Sequence, residues 1–196
     1  MTTGESKSRI FAVVLAAGGS TRFGSNKMLA RAGGRTLVRR AADTAHAVCG
    51  TRSLLVAGAD AGDVIRAAGD AAGFVIVNDR YADGLGTSIA AGVAAVARAA
   101  DAVLLMLADQ ALVPAAHLSS MICLWSGAAD AIVATAFDDT VGPPVLFPRG
   151  TFAELVKLDR DDGARALLHD PRFTIETLRC DAAAVDIDTP DDLAAV

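Results

Sequence analysis

Short apolar runs alternating with helix-length stretches constrain this chain more than any other feature. Runs at 10–15, 53–57, 74–77, 102–107 and 131–136 read as buried strands. Stretches 36–48, 60–72, 87–100 and 114–125 between them read as helices. Thr36 caps the first, Gly50 and Gly73 act as stops, and Pro114 falls at an allowed first-turn position. Strands separated by helices pair in parallel, and the helices cover both faces of the sheet. The expected architecture is a Rossmann-like three-layer α/β/α sandwich with a mostly parallel sheet. The 196 residues suit one such domain. After Asp138 the rhythm changes. Residues 145–147 read as a short extended piece bracketed by Pro143, Pro144 and Pro148. Short helices follow at about 151–158 and 162–168, then strands at 173–178 and 183–187, and Pro190 opens a last helix. This less regular half is expected to supply the site of a second substrate.

The first strand runs into Leu15-Ala16-Ala17-Gly18-Gly19-Ser20-Thr21-Arg22-Phe23-Gly24-Ser25-Asn26-Lys27. Open α/β sheets bind ligands at the carboxyl ends of their strands, where this loop falls. Its glycines allow close backbone approach, and their N–H groups can form an anion-binding concavity. Arg22 offers a planar fork to a phosphate and Lys27 a point charge. Together these point to a polyphosphate, most simply a nucleoside triphosphate. The loop is neither of two better-known phosphate binders. Gly19 and Gly24 have the gap of a P-loop, but Ser25 stands where its lysine belongs. Gly18, Gly19 and Gly24 miss the spacing of the dinucleotide fingerprint, which argues against a nicotinamide-dependent oxidoreductase.

Two further segments carry chemistry. Asp109 follows the apolar strand at 102–107, on the same sheet edge as the loop, and suits a magnesium ion held by carboxylate and phosphate oxygens. Asp186 and Asp188, in Val185-Asp186-Ile187-Asp188-Thr189-Pro190, are second metal candidates, with Asp188 preferred. A helix cap before Pro190 is the alternative for that pair. Residues 78–88, from Asn78 to Ser88, follow another strand. Gly84 gives backbone access there and Ser88 offers a hydroxyl in a helix's first turn, which suits nucleoside recognition. A simple turn and cap is the alternative.

Composition narrows the partners. A net charge of -5, with no basic run, argues against nucleic acid. An acidic chain that binds a polyanion needs local cations and a divalent metal. Cys49, Cys123 and Cys180 have no zinc or disulfide spacing and are expected buried or half-buried. His46, His117 and His169 fall in helical stretches, as solvent-facing or core-edge residues rather than ligands. Met106 and Phe23 read as packing, and Trp125 as a cover over apolar surface. No run reaches the ~18 apolar residues of a membrane span. The polar N-terminus has no signal-peptide character, so the cytoplasm is the expected location.

These pieces, in this order, resemble the MobA-like nucleotidyltransferases, and within them the molybdenum cofactor cytidylyltransferases. The resemblance rests on the segment from Leu15 to Gly24 with Lys27, on Asn78 through Ser88, and on Leu107-Ala108-Asp109-Gln110. Gly142-Pro143-Pro144-Val145-Leu146-Phe147, Asp161-Asp162-Gly163-Ala164-Arg165 and Asp186-Ile187-Asp188-Thr189-Pro190 complete it. It implies Mg²⁺-dependent transfer of a nucleotidyl group to the terminal phosphate of molybdenum cofactor (molybdopterin). In such a protein Arg22 and Lys27 hold the triphosphate, with Leu15, Ala16, Ala17, Gly18, Gly19, Ser20, Asn78, Gly84 and Ser88 around the nucleotide. Asp109 and Asp188 hold the metal, and Gly142, Pro144 and Arg165 face the acceptor. An Ala-Ala-Gly loop goes with cytidine nucleotides in this family and Ala-Gly-Gly with guanosine nucleotides, so Ala16-Ala17-Gly18 points to CTP. Guanylyl transfer, a sugar-phosphate acceptor and a non-catalytic delivery role are the rivals. A molybdoenzyme or its chaperone is the implied protein partner. Two positions depart from the family pattern: Ala111 where proline is frequent after Asp-Gln, and Arg160 where glycine is common.

Overall fold

The computed structural model describes residues 8–19, 23, 26–160, 163–185 and 187. Its centre is a sheet of seven strands: β1 (Ile10–Ala16), β4 (Ser53–Ala57), β5 (Phe74–Val77), β6 (Ala102–Leu107), β7 (Ala131–Phe137), β8 (Thr140–Pro148) and β9 (Thr174–Arg179). The order across the sheet is β5-β4-β1-β6-β8-β7-β9. A two-residue pair, β2 (Arg31–Ala32) and β3 (Arg35–Thr36), forms a small separate hairpin.

Alternation along the central strands makes the two faces. Ala12, Val14, Leu104 and Met106 point to one side, with the buried residues of α1 (Leu37–Cys49), α2 (Ala61–Ala68) and α4 (Ala115–Leu124). Val13, Leu15, Val103 and Leu105 point to the other, toward α3 (Leu85–Val96) and α5 (Phe152–Leu155). Both faces are covered, so these strands are apolar throughout rather than alternating with polar residues. Helix α1 shows how local sequence sets an element. The Thr36 hydroxyl accepts the Arg39 N–H at 3.3 Å. Leu37, Val38, Ala41, Ala42, Ala45 and Cys49 form its buried stripe, and Gly50 at φ 57° ends it. On the opposite face, α3 lies very close to the sheet. A Cβ on Gly92 would come within 2.7 Å of the Val13 side chain.

The chain runs outward from β1 through β4 to β5, then returns to place β6 on the other flank of β1, and all these pairings are parallel. The strand order therefore reverses between β1 and β6, and a crevice opens at their carboxyl ends. Strand β8 is the exception to the parallel sheet, antiparallel to both β6 and β7. The expected short extended piece at 145–147 is thus part of a nine-residue inner strand. Prolines are usually confined to edges because they donate no ladder bond. A register shift beside Thr135, opposite the Pro143–Pro144 segment, absorbs them here.

Other expectations need correction in the second half. The helix expected at 162–168 is a 3-10 segment, Ala164–His169. The strand expected at 183–187 is replaced, over its described residues, by a 3-10 turn, Asp181–Ala184, followed by irregular chain. Helix α3 begins two residues earlier than expected, at Leu85. The helix expected after Pro190 lies outside the described residues. No helix among the described residues is long and apolar enough to cross a membrane.

Candidate nucleotide and acceptor site

The strand-end loops are knitted together by backbone hydrogen bonds that continue beyond the parallel ladders. Ala108 N–H donates to the Leu15 carbonyl at 3.1 Å, Ala59 N–H to Ala17 at 3.0 Å, and Asn78 N–H to Ala57 at 2.8 Å. Gly58 sits where these loops converge. A Cβ there would stand 2.7 Å from the Ala17 carbonyl oxygen and 2.6 Å from the Tyr81 Cβ. Only a residue without a side chain lets the first loop and the 78–84 loop close over it. At the far end of the glycine-rich loop, Asn26 acts as an anchor. Its amide donates to the Ala59 carbonyl at 3.1 Å and to the Asp60 carboxylate at 3.2 Å, while its Oδ1 accepts the Met28 N–H. Sequence reasoning passed over both residues. The available signals were Asn26 as a cap before Lys27-Met28-Leu29 and an isolated glycine immediately after a buried strand.

Within this frame Leu15, Ala16, Ala17, Gly18, Lys27, Ser88 and Asp109 come together around one cavity of about 240 Å³. Lys27 Nζ and Asp109 Oδ2 form an ion pair of 2.8 Å. The two side chains are only 15% and 19% exposed, so water screens the pair little. The other Asp109 oxygen, Oδ1, is buried and accepts no hydrogen bond among the described residues. A buried carboxylate oxygen left without a donor is costly, and a hard divalent cation would satisfy it. Among the described residues, no three His, Cys, Asp or Glu side chains cluster. Asp109 is thus a candidate ligand among the described residues, in keeping with magnesium's habit of being held by one or two carboxylates plus substrate phosphates. Asp186 and Asp188 lie outside the described residues, as do Ser20 and Arg22. Gly19 is exposed, and a Cβ added there would stand 3.7 Å from the Ala59 Cβ.

The 78–88 loop has a different internal logic from the one its sequence suggested. Asn78 is buried, and its amide donates to the hydroxyls of both Thr87 and Ser88 at 2.9 Å. Its Oδ1 accepts the Arg80 N–H. These bonds hold Asn78 against the start of α3. Ser88 reaches the cavity, fixed by that bond. Gly84, at φ 128° and ψ 171°, takes a backbone conformation open essentially to glycine alone, and lets the chain turn into α3. The opposite half clamps this loop. Arg80 pairs with Asp159 at 2.8 Å, and the Arg160 carbonyl accepts the Gly86 N–H at 2.8 Å. Arg160 itself has φ 51°, the left-handed region where glycine is at ease.

A second cavity, of about 370 Å³, adjoins the first and shares Leu15, Leu85 and Leu107 with it. Gly142 and Arg165 line it. Its proline is Pro143; Pro144 is buried and its carbonyl accepts the Thr135 hydroxyl at 2.7 Å. That hydroxyl has given its one proton, so the His117 ring must donate to it from Nε2, 2.9 Å away. Burial lowers the His117 pKa, which favours this neutral ring. Gln110 ties the strand end to the same region, donating to the carbonyls of Pro143 and Ala183. His117 is thus a buried brace behind the second cavity. Cys49 is buried and Cys180 half-buried as expected, whereas Cys123 is exposed.

Several solved structures are similar to this chain over nearly its whole length. Rv0371c from Mycobacterium tuberculosis H37Rv is 31% identical, with 95% of this chain and 97% of that one covered and a TM-score of 0.79. A homologue of it from Mycobacterium sp. strain JC1 is 30% identical over 96% of this chain and 97% of that one, with a TM-score of 0.81. Rv0371c in complex with manganese, also from Mycobacterium tuberculosis, is 30% identical over 95% and 97%, with a TM-score of 0.76. A sequence comparison with curated proteins gave no match. The family model described as the MobA-like NTP transferase domain matches residues 12–187, and it is to this family that the chain belongs.

Proposed function

We propose that this protein transfers the cytidylyl group of CTP to the terminal phosphate of molybdenum cofactor, with Mg²⁺ and with release of pyrophosphate. The observation that carries the reading is the Lys27–Asp109 pair, with its unsatisfied Asp109 oxygen, on the wall of a cavity bounded by the Ala16-Ala17-Gly18 loop. The adjoining cavity that contains Gly142 and Arg165 is the acceptor side. The existence of a manganese complex of a 30% identical protein supports a divalent ion.

In the reaction an oxygen of the acceptor phosphate forms a bond to the α-phosphorus of CTP. The bond from that phosphorus to the bridging oxygen of the β-phosphate breaks, and its electron pair leaves with pyrophosphate. A phosphate monoester is largely ionised near neutral pH, so the acceptor needs no strong base. Lys27 and Arg22 offset charge on the departing pyrophosphate, and Ser88 and the loop backbone hold the nucleotide in line. Asp109 and Asp188 would hold Mg²⁺, which when bound would supply charge neutralisation at the reacting phosphates.

The test is pyrophosphate release with Mg²⁺, with CTP, GTP, ATP and UTP compared, each with and without molybdenum cofactor. Release with CTP that depends on the cofactor is the expected result. Release with GTP moves the chain to guanylyl transfer. CTP binding without release under any of these conditions overturns the acceptor.

A further inference from the structure

On the nucleotidyl-transfer reading of the first cavity, the strand end that bears Asp109 must be fixed relative to the glycine-rich loop. The two residues that follow Asp109 both engage the 183–187 stretch. The Gln110 side-chain nitrogen donates to the Ala183 carbonyl at 3.0 Å and to the Pro143 carbonyl at 3.2 Å. Ala111 shares a small buried cluster with Ile187, Ala32 and Leu37, and half-buried Phe23 packs against it. One end of the stretch is thus held by a hydrogen bond and the other by apolar burial. Phe23 brings the glycine-rich loop onto the same cluster, one position after Arg22 in the sequence.

Stability alone does not explain the Gln110 contact. The residue is buried, and its Oε1 has no hydrogen-bond partner among the described residues. A buried acceptor without a donor is costly, and that cost offsets the gain from the two donated bonds. What the side chain supplies is geometry, because its nitrogen joins the Asp109 strand end to β8 and to the 183–187 stretch. Ile187 is fully buried among residues of the β2–β3 hairpin, the start of α1 and the position after Gln110. It stands between Asp186 and Asp188 in the sequence. Groups that orient metal ligands from behind matter to the ion: their loss commonly weakens metal binding about 10–100-fold.

We propose that Gln110 and Ile187 are positioning residues, which seat the 183–187 stretch against the Asp109 strand end and the glycine-rich loop and so set the affinity of the nucleotide site for its divalent ion. The test is calorimetric binding of CTP to the full-length protein across a range of Mg²⁺ concentrations, with unfolding midpoints measured on the same samples. Gln110→Leu keeps the bulk and removes both donors. This variant and Ile187→Ala are each expected to raise the half-saturating Mg²⁺ concentration about tenfold, and Ile187→Val to recover most of that loss. Leu155→Ala is the control, because it truncates a fully buried side chain in the core on the α3 face of the sheet. It is expected to lower the unfolding midpoint and leave the Mg²⁺ requirement unchanged. An unchanged Mg²⁺ requirement in Gln110→Leu or in folded Ile187→Ala overturns the proposal, as does an equal shift in Leu155→Ala. Should Ile187→Ala not fold, Gln110→Leu alone decides. If the wild-type protein binds Mg²⁺–CTP and the variants match it, this inference alone falls; if the wild-type protein binds no CTP, the nucleotidyl-transfer reading falls with it.

Discussion

The two adjoining cavities are built on opposite principles. The first takes its character from backbone and charge: a glycine-rich turn, the Lys27–Asp109 pair and a hydroxyl held by Asn78. Nearly all of it comes from loops at the ends of parallel strands, and each loop is a continuous stretch of chain. The second takes its character from apolar side chains on β6, β8, the end of β7 and the 163–168 segment, which approach only in the folded chain. A polar site for a shared ligand class can be written in short motifs. An apolar cavity must be assembled from distant surfaces.

Changing the charged pair should produce the largest effect and break the contrast outright. Asp109→Asn or Lys27→Ala should each lower kcat for pyrophosphate release by about two to four orders of magnitude, because charge stabilisation at the reacting phosphates is lost. Far-ultraviolet circular dichroism should be unchanged. Near-normal turnover in either variant would remove the assignment of the first cavity.

Gly58→Ala tests whether that cavity is held from beneath. The added methyl meets the Ala17 backbone and Tyr81 Cβ inside contact distance, so the loops must separate. A loss of about 1–3 kcal/mol in denaturant unfolding is expected, together with a raised KM for the nucleotide. An unchanged nucleotide KM would show that the first loop does not depend on this close approach.

The brace behind the second cavity gives the contrast a pH signature. Burial lowers the His117 pKa from its ordinary value of 6.5, so the folded protein favours the neutral ring. The unfolded chain takes up the proton first. The stability due to His117 is therefore fully present above about pH 6.5 and is lost as pH falls through the lowered value. Unfolding midpoints in the native protein should fall by up to one proton's slope over that window. His117→Gln should lack the slope, and a retained slope would assign it to another group.

The smallest effect concerns the clamp that joins the two halves. Arg160 holds φ 51° at a cost of about 1–2 kcal/mol relative to glycine, part of which the greater freedom of unfolded glycine offsets. Arg160→Gly should stabilise the protein by up to about 1 kcal/mol and leave acceptor preference unchanged. Destabilisation would mean that the arginine side chain itself contributes to the clamp.

Much of the first half was legible before folding. The strands at 53–57 and 102–107 coincide with β4 and β6, and Thr36 caps α1 as read. Those elements follow from local periodicity and from caps, which act over a few residues. The second half was harder to read because its forces are not local. Residues 145–147 read as a short extended piece bracketed by prolines, yet β8 is longer and pairs on both sides once a register shift accommodates Pro143 and Pro144. The stretch at 183–187 has the alternation of a strand, but Ala183 joins the core through a 3-10 turn instead. His117 read as solvent-facing or core-edge, and only the fold makes it buried, because nothing in sequence announces Thr135 as its partner.

Site residues divide along the same line. Leu15, Ala16, Ala17, Gly18, Lys27 and Asp109 were named from one loop and one strand end, and they line one cavity. Asn78 was named for the nucleoside, but tertiary contact turned its amide toward Thr87 and Ser88. Gly58 was not singled out, and Asn26 and Gln110 were quoted in motifs without a role, because each acts through a contact far away in sequence. The sequence by itself determined the α/β alternation and placed a cation-bearing glycine-rich loop and an aspartate on one sheet edge. Strand length, apolar periodicity and the special freedom of glycine are properties of short segments. Only the tertiary structure decided that Lys27 and Asp109 meet at 2.8 Å, that β8 runs against its neighbours, and that the second cavity is walled with apolar side chains. Those outcomes depend on which distant surfaces exclude water together, and no local pattern encodes that choice.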